Sequence, residues 1–144
     1  MPDMVSFTPQ LLGRTEKALN AILDRLLADS GVTEPQWVAL SIAVAGGESF
    51  GRDQLTGLVA GALKVADDEA YAHIAALVGH GFLASEGEEV VVTEEGRAFR
   101  SSIGVTTGEI AERLWGDLPA EDLDATVRVL STALSRADEE LARH

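Results

Sequence analysis

The sequence predicts a mostly α-helical protein in which a helix-turn-helix and a short two-stranded hairpin lie between long N- and C-terminal helices. Three observations predict this fold class. Apolar residues recur at helical spacing over most of the chain, and two helix-length segments joined by a short turn precede residue 81. Two short apolar runs, 82–84 and 90–92, then flank a Glu-Gly-Glu tip. At 144 residues the chain fits one domain with a substantial core.

Capping residues indicate where the first two helices begin. Thr8 precedes a segment whose leucines and isoleucine keep the spacing of an amphipathic helix. Thr33 and Gln36 have the spacing of a capping box and start a second helix. Because apolar residues are nearly continuous in this second helix, we expect it to be central, and Gly46 and Gly47 should end it.

The next segment has the spacing of a helix-turn-helix. We predict a short helix over 53–60, a turn at Gly61 and a second helix over 67–80. Either Asp67 or Asp68 can act as the N-cap of that second helix, since a short carboxylate accepts hydrogen bonds from first-turn N–H groups. The hairpin follows directly.

Two long helices complete the chain. The first covers about 94–116 and contains Gly104 and Gly108, which weaken a helix and favour a bend or a close helix contact. The second begins after Pro119 and runs to the C-terminus. Its apolar residues keep heptad-like spacing: Leu123, Val127, Leu130, Leu134 and Leu141. The terminal helices carry more apolar surface than a small domain can cover, so we predict that they pair across a two-fold axis.

Four segments, in this order, resemble the MarR family of bacterial winged-helix regulators: "GVTEPQWVAL", "LVGHGFL", "VVVTEEGRAF" and "LWGDLPAEDLDATVRVLSTAL". The resemblance covers nearly all of 1–144. It implies a winged helix-turn-helix lobe at 33–97 and a helical dimerisation lobe at 8–31 and 98–143. It also implies a homodimer joined through the terminal helices, duplex DNA as a partner, a wing in the minor groove, and a small aromatic or lipophilic effector.

Charge opposes DNA binding in the segment that the resemblance assigns to DNA. The net charge is -13, and the stretch from Val65 to Gly96 has eight acids and no Lys or Arg. Duplex binding normally relies on cationic contacts to phosphate. The wing tip "SEGEE" also lacks the Asp-x-Arg element common in the family. Its acids can form a solvated turn, keep the domain off DNA until a partner or ion neutralises them, or bind a basic protein surface.

The candidate DNA-binding residues come from two sources. The resemblance places Asp67, Asp68, Tyr71 and Ala72 at base-reading positions of the recognition helix. The Lys and Arg residues that flank the segment from Val65 to Gly96 are candidates for phosphate contacts. For each of them the alternative is an ordinary solvated surface charge. These are Arg52, Lys64, Arg97 and Arg100.

Other side chains suggest a ligand or a metal site. Trp37 and Trp115 are the candidate ligand-binding residues, since a large ring at a helix junction often borders a cavity. Glu69, His73 and His80 lie along one predicted helix and leave divalent metal binding open, with surface histidines as the alternative. We expect no cofactor and assign no metal ligand.

Several function classes are disfavoured. With no Cys there is no disulfide or thiolate site, and "GGESFG" lacks the spacing of a hydrolase nucleophile elbow. We expect no enzymatic activity, no membrane partner and a cytoplasmic location. The predicted function is a homodimeric transcriptional regulator that binds duplex DNA weakly or conditionally. The alternative is the same fold without operator binding, acting as a ligand-binding or protein-interaction module.

Overall fold

The computed structural model describes residues 6–47 and 49–143. In this part of the chain the elements are α1 (Pro9–Leu27), α2 (Glu34–Ala45), β1 (Ser49–Gly51), α3 (Arg52–Leu63), α4 (Asp67–Gly79), β2 (Leu83–Glu86), β3 (Glu89–Val92), α5 (Glu94–Trp115) and α6 (Ala120–Ala142). The prediction of a mostly α-helical chain with a helix-turn-helix, a hairpin and long terminal helices is confirmed.

The first two helices begin at their predicted caps. Before α1, Thr8 Oγ1 accepts a hydrogen bond from the Leu11 N–H at 3.2 Å. Before α2, the Gln36 N–H donates to Thr33 Oγ1 at 3.4 Å and the Thr33 N–H donates to Gln36 Oε1 at 3.1 Å. The capping box is therefore complete, and these bonds satisfy donors that a helix end leaves without intrahelical partners. As predicted, α2 ends at a glycine, Gly46.

The hairpin belongs to a three-stranded antiparallel sheet with the order β1-β3-β2. Leu83 pairs with Val92 across the hairpin, and Gly87 takes a φ of 67° at its tip. On the other edge of β3, Phe50 in β1 pairs with Val90. The two hairpin strands were predicted. The third was not, because a strand of three residues is too short to display an alternating pattern.

The turn between α3 and α4 lies later than predicted. The predicted turn at Gly61 is wrong, because α3 continues through this residue to Leu63. Lys64 ends the helix in the left-handed conformation, with φ 59° and ψ 48°, and its N–H donates to the Ala60 carbonyl. A glycine weakens a helix without necessarily ending it, whereas a left-handed residue breaks the hydrogen-bond ladder.

The N-cap of α4 also differs from the prediction. Ala66 occupies this position without a side-chain hydrogen bond, and Asp67 and Asp68 lie in the first turn. Asp68 Oδ1 instead accepts a hydrogen bond from the Glu69 N–H at 2.9 Å. The positive end of the helix dipole favours acids throughout the first turn, so sequence alone did not separate the cap from the positions after it.

Two clusters of buried apolar residues hold these elements together. The larger cluster joins α2, α3, α4 and the sheet, with Leu40, Leu55, Ile74, Leu77 and Leu83 almost completely buried. The smaller cluster consists of Leu27, Val32 and Trp37, and Phe99 and Ile103 of α5 pack against it. The central position predicted for α2 is confirmed by its residues in both clusters.

The start of α5 contacts the segment that joins the end of α4 to strand β2. Thr93 Oγ1 donates to the Gly81 carbonyl at 2.6 Å and accepts from the Gly96 N–H at 2.9 Å. A Cβ at Gly96 would overlap the carbonyl oxygen of Phe82, so only glycine fits there without a backbone shift. Phe82 in turn stacks on Phe99 with ring centroids 4.6 Å apart.

The chain divides into two compact units, Met1–Thr107 and Gly108–His144, and α5 passes from the first into the second. The first unit contains both apolar clusters and the sheet. In the second unit α6 starts after Pro119, as predicted, and none of its residues is buried within the described chain. Its exposed aliphatic side chains include Val127, Leu130, Leu134 and Leu141.

Candidate nucleic-acid interface

The first turns of α4 present an exposed, acidic surface. Asp67, Asp68 and Ala72 are exposed, and 46% of Tyr71 is accessible. An open cleft of about 410 Å³ lies against this surface and is lined from α3 and α4 by Arg52, Asp53, Thr56, Asp67, Asp68 and Tyr71. Five of the eight candidate DNA-binding residues thus lie on or beside the start of α4. The buried side of the same helix, with Ala70, Ile74 and Leu77, fixes that orientation.

Arg52 connects this surface to the wing. Its Nη2 donates to the Gly87 carbonyl at 2.7 Å, and its backbone N–H donates to the Glu88 carbonyl at 2.8 Å. Beside it, Ser49 Oγ donates to Glu89 Oε1 at 3.0 Å. The guanidinium therefore has a structural role at the wing tip, in addition to any contact that it makes with phosphate.

The charge of the surface is dominated by carboxylates. Asp67, Asp68 and Glu69 are exposed at the start of α4, and Glu86, Glu88 and Glu89 are exposed around the wing tip. Each group of three carboxylates repels a phosphate backbone. The basic residue nearest to α4 in the sequence is the exposed Lys64, which ends α3. Hydrogen-bonding capacity remains, because a carboxylate can accept from a cytosine amino group and the Tyr71 hydroxyl can donate to phosphate.

The two arginines at the start of α5 have different environments. Arg97 is exposed, and its Nη1 lies 3.5 Å from the Val92 carbonyl. Arg100 is half-buried, with its guanidinium carbon 4.5 Å from the centre of the Trp37 ring and its Nε donating to Ser41 Oγ at 2.8 Å. Such a cation–π contact and a hydrogen bond hold Arg100 within the fold. We therefore keep Arg97 as a candidate phosphate contact and assign Arg100 to packing.

The two predicted ligand-binding residues lie in different environments. Trp37 is buried, with 8% of its surface accessible, and its ring meets Phe99 edge to face at 6.2 Å. Arg100 covers one of its faces. Trp115 ends α5 in the second unit and is 40% accessible. Trp37 thus contributes to a packed cluster, whereas Trp115 presents an open aromatic surface.

His73 in α4 and His80, the residue that caps its C-terminus, do not form a joint metal site in the described part of the chain. His73 Nε2 is buried without a hydrogen-bond partner and lies 3.7 Å from Glu69 Oε2. His80 is turned to a different neighbour, since its ring stacks on Phe82 at 5.7 Å. Among the described residues, no group of three or more His, Cys, Asp or Glu side chains is arranged to hold a metal ion.

Two contacts were absent from the sequence analysis. Ser41 is a polar residue in the apolar segment of α2, and it accepts the hydrogen bond from Arg100. Phe82 carries the aromatic stack between His80 and Phe99. A polar partner for Ser41 could have been predicted from the sequence, because a hydroxyl inside an apolar helix usually has one. The stacking of Phe82 on Phe99 was not predictable, because these two residues lie in separate segments of the chain.

Comparison with solved structures identifies the fold. The chain is similar to a MarR family transcriptional regulator from Silicibacter pomeroyi, with 24% identity, a TM-score of 0.75, and 92% of this chain and 90% of that chain covered. It is also similar to a MarR protein from Peptoclostridium difficile, with 14% identity, a TM-score of 0.77 and coverage of 97% and 93%. A third similar structure is BpsR from Bordetella bronchiseptica, whose DNA binding is regulated by 6-hydroxynicotinic acid. Its identity is 23%, its TM-score 0.68 and its coverage 94% and 99%.

No protein-family model matches the chain, and no curated protein matches it significantly. The structural likeness nevertheless covers almost the whole chain, and the fold is that of the MarR-type winged-helix regulators. In the described residues, no helix has the length and apolar character needed to cross a membrane.

Proposed function

We propose that the protein is a cytoplasmic, homodimeric transcriptional regulator that binds duplex DNA weakly or conditionally and responds to a small aromatic or lipophilic ligand. In this proposal residues 33–97 form the DNA-binding lobe, and residues 8–31 and 98–143 form the dimerisation lobe. The partners are a second copy of the chain, duplex DNA and the ligand, without a membrane, a metal, a cofactor or catalysis. The observation that carries the proposal is the exposed first half of α4 beside a wing in a MarR-type fold.

The geometry of α4 supports DNA as the partner. Its buried face consists of Ala70, Ile74 and Leu77. Its exposed face carries Asp67, Asp68, Tyr71 and Ala72. A recognition helix needs this division, because one face anchors the helix and the other reaches base edges in the major groove. Arg52, Lys64 and Arg97 supply the phosphate contacts in this proposal.

Two further observations support dimerisation and ligand response. The exposed aliphatic residues of α6 are typical of a surface that is buried in an interface. A second copy of the same helix, related by a two-fold axis, can bury them. Regulation of BpsR by 6-hydroxynicotinic acid supports a small aromatic effector for this chain as well. Trp37 and Trp115 are its proposed contacts, with the exposed Trp115 ring the more accessible of the two.

The acidic charge favours a second candidate function. The stretch from Val65 to Gly96 has no Lys or Arg, so the formal charges of α4 and the wing contribute only repulsion toward phosphate. The second candidate is a MarR-type fold that has lost operator binding and acts as a ligand-binding or protein-interaction module. Conditional DNA binding and lost DNA binding differ in one measurable respect, namely whether any duplex sequence is selected.

The test is a selection from random duplex DNA at low salt, with and without divalent metal, followed by affinity measurements on the enriched sequence. We expect one palindromic sequence to be enriched and its affinity to fall as salt rises. Lys64→Gly should weaken binding to all sequences about equally and lower the salt slope by about one unit, because one phosphate contact is lost. Arg128→Ala on α6, which removes the same charge elsewhere, is the matched control. Enrichment of no sequence under either condition would sink the regulator proposal.

A triple substitution distinguishes the two candidates further. Replacing Asp67, Asp68 and Glu69 by Ser, Lys and Ser should create nonspecific DNA affinity that the parent lacks, if acidity alone keeps α4 off DNA. The same replacement at Asp138, Glu139 and Glu140 changes the net charge equally without altering α4. If both triple variants gain the same affinity, overall charge and not the α4 surface controls DNA binding.

A further inference from the structure

We propose that Arg52 is a positioning residue that closes the wing tip, residues 86–89, onto the start of α3, so that the wing forms a rigid acidic rim beside α4 and stays out of the minor groove. This deepens the proposed function, and the statement about the groove rests on the proposed DNA binding. Three observations carry it: how far the hairpin extends, what holds its tip, and which charges the tip has.

The hairpin hardly extends past the strand beside it. Strands β2 and β3 have four residues each, and Gly87 and Glu88 alone connect them. The last residue of β1, Gly51, lies opposite Glu89, the first residue of β3. A two-residue turn lengthens a hairpin by about one residue, roughly 3.3 Å. The wing is therefore an edge of the three-stranded sheet and not a projecting arm.

Arg52 provides two of the three bonds that hold the tip. Its Nη2 donates to the Gly87 carbonyl at 2.7 Å, and its backbone N–H donates to the Glu88 carbonyl at 2.8 Å. The third bond runs from Ser49 Oγ to Glu89 Oε1 at 3.0 Å. The bond from the charged guanidinium is the stronger type of donor contact, and it reaches the outermost carbonyl of the turn. The side chain of Arg52 thus ties the tip to α3.

The start of α3 is itself fixed in the core. Leu55 and Thr56 are buried, and Phe50 directly before the helix is buried as well. Thr56 Oγ1 donates to the Arg52 carbonyl at 2.8 Å. Because the backbone of Arg52 is held in this way, the bond from its guanidinium fixes the tip to a rigid frame.

The charge of the tip opposes entry into the minor groove. Glu86, Glu88 and Glu89 are exposed, and residues 83–92 contain no Arg, Lys, Asn, Gln or His. Proteins that enter the minor groove use such side chains, because a narrow groove concentrates the negative potential of the phosphates. A rigid tip with three carboxylates cannot turn them away from this potential. Base selection therefore falls to α4 in the major groove, and the flanking base pairs are not read.

The first test measures the mobility of the tip without DNA, by ¹⁵N relaxation of the full-length protein. We expect an order parameter of about 0.85 for the Gly87 amide in the parent and below about 0.6 in Arg52→Ala. Arg128→Ala removes the same charge at an exposed position on α6 and should leave the value unchanged. DNA affinity is unsuitable as the readout for Arg52→Ala, since a lost positive charge weakens phosphate binding by itself.

A disulfide provides the rescue. Because the Arg52 N–H donates to the Glu88 carbonyl, Gly51 and Glu89 form the next, non-hydrogen-bonded pair. The Cα atoms of such a pair are about 4.5 Å apart, which suits a disulfide. The chain has no other Cys, so Gly51→Cys with Glu89→Cys can be added to Arg52→Ala. Oxidation should restore the order parameter of the Gly87 amide, and reduction should lower it again.

The second test uses the enriched duplex from the selection experiment. An inosine–cytosine pair has the minor-groove pattern of A·T, whereas G·C adds an amino group there. Replacing inosine by guanine in the pairs that flank each half-site should change the affinity by less than about two-fold. A wing that reads these pairs would lose about ten-fold or more.

Each outcome decides one part of the proposal. A tip that is equally mobile in the parent and in Arg52→Ala overturns the positioning role, and so does a tip that stays mobile after the disulfide forms. A ten-fold loss on guanine substitution overturns the exclusion from the minor groove. If no duplex is enriched, the regulator function fails, while the relaxation measurement still decides whether Arg52 holds the wing.

Discussion

Glu34 lies in the first turn of α2 among other carboxylates. Partial burial raises the pKa of Glu34 above its ordinary value, and Glu16 and Asp24 on α1 raise it further, while His73 acts in the opposite direction. A raised carboxyl pKa means that the folded chain holds the proton more tightly than the unfolded chain does. The resulting stability is present below the ordinary value of about 4.5 and is lost as pH rises through the folded-state pKa.

We therefore expect Glu34→Gln to increase the free energy of unfolding at pH 7, where the carboxylate is charged, by less than about 1 kcal/mol. The gain should disappear below pH 4.5, where the parent is also neutral. Urea denaturation followed by circular dichroism at both pH values measures it. Glu109→Gln on α5 removes the same charge at an exposed position and serves as the control. A gain of equal size at both pH values would contradict the electrostatic explanation.

Lys64 takes a backbone conformation that favours glycine. Its φ of 59° and ψ of 48° place it in the left-handed region, where a side chain is strained. We expect Lys64→Gly to stabilise the protein by about 0.5–1 kcal/mol, measured by chemical denaturation. Ala62→Gly, two residues earlier inside α3, should have the opposite effect. Destabilisation by Lys64→Gly would show that the lysine side chain contributes more than its backbone strain costs.

At the scale of elements, backbone packs closely against backbone at the junction of α4, the wing and α5. Gly96→Ala introduces a Cβ where the Phe82 carbonyl already lies, and both groups are held by helix and sheet hydrogen bonds. We expect a loss of about 1–3 kcal/mol in the free energy of unfolding, typical of overpacking. Gly108→Ala, on the same helix with open space around it, should cause no loss. Thermal or chemical unfolding of the two variants side by side gives the comparison.

The same scale shows which elements are predictable from local sequence. The starts of α1 and α2 were predicted correctly because their N-caps are local signals at fixed spacing, as in the Thr33 and Gln36 box. Helix α1 was expected to end near Gly31 but ends at Leu27. The end of α3 was misplaced because Lys64, an unusual residue for the left-handed region, ends the helix instead of Gly61. Strand β1 was missed because its pairing with β3 joins segments that are 40 residues apart, as in the Ser49 to Glu89 hydrogen bond.

At the scale of the whole molecule, the exposed aliphatic residues of α6 lead to a prediction for the proposed homodimer. Leu134 is 58% accessible in the single chain and would be covered in a pair of copies. Leu134→Glu should raise the dimer dissociation constant at least about 100-fold, since an unpaired buried charge costs about 3–5 kcal/mol. Sedimentation or light scattering over a concentration series measures this. Thr132→Glu, on the opposite side of α6, should leave the dimer intact, and an unchanged mass for both variants would argue against this interface.

At the scale of the whole molecule, the net charge affects the proposed DNA binding but not the formation of the fold. The net charge of -13 favours solubility and disfavours encounter with a polyanion. The MarR-type fold still forms, because a fold depends on buried residues such as Leu40, Leu55 and Leu77, and these are independent of the surface charge. The likeness in fold supports the proposal of a regulator, whereas the strength of the proposed DNA binding depends on the acids at the start of α4 and at the wing tip.

Helix order, the N-caps of α1 and α2, the helix-turn-helix and the uneven charge follow from the sequence, because each depends on residues within a few positions of one another. Only the folded chain shows that Arg100 leaves the surface to stack on Trp37, and that Arg52 joins the wing tip to α3. Both side chains bond to partners distant in sequence, and the choice among such partners is made by the packing of helices and strands. The same packing leaves the start of α4 exposed and places the Trp37 ring against Phe99.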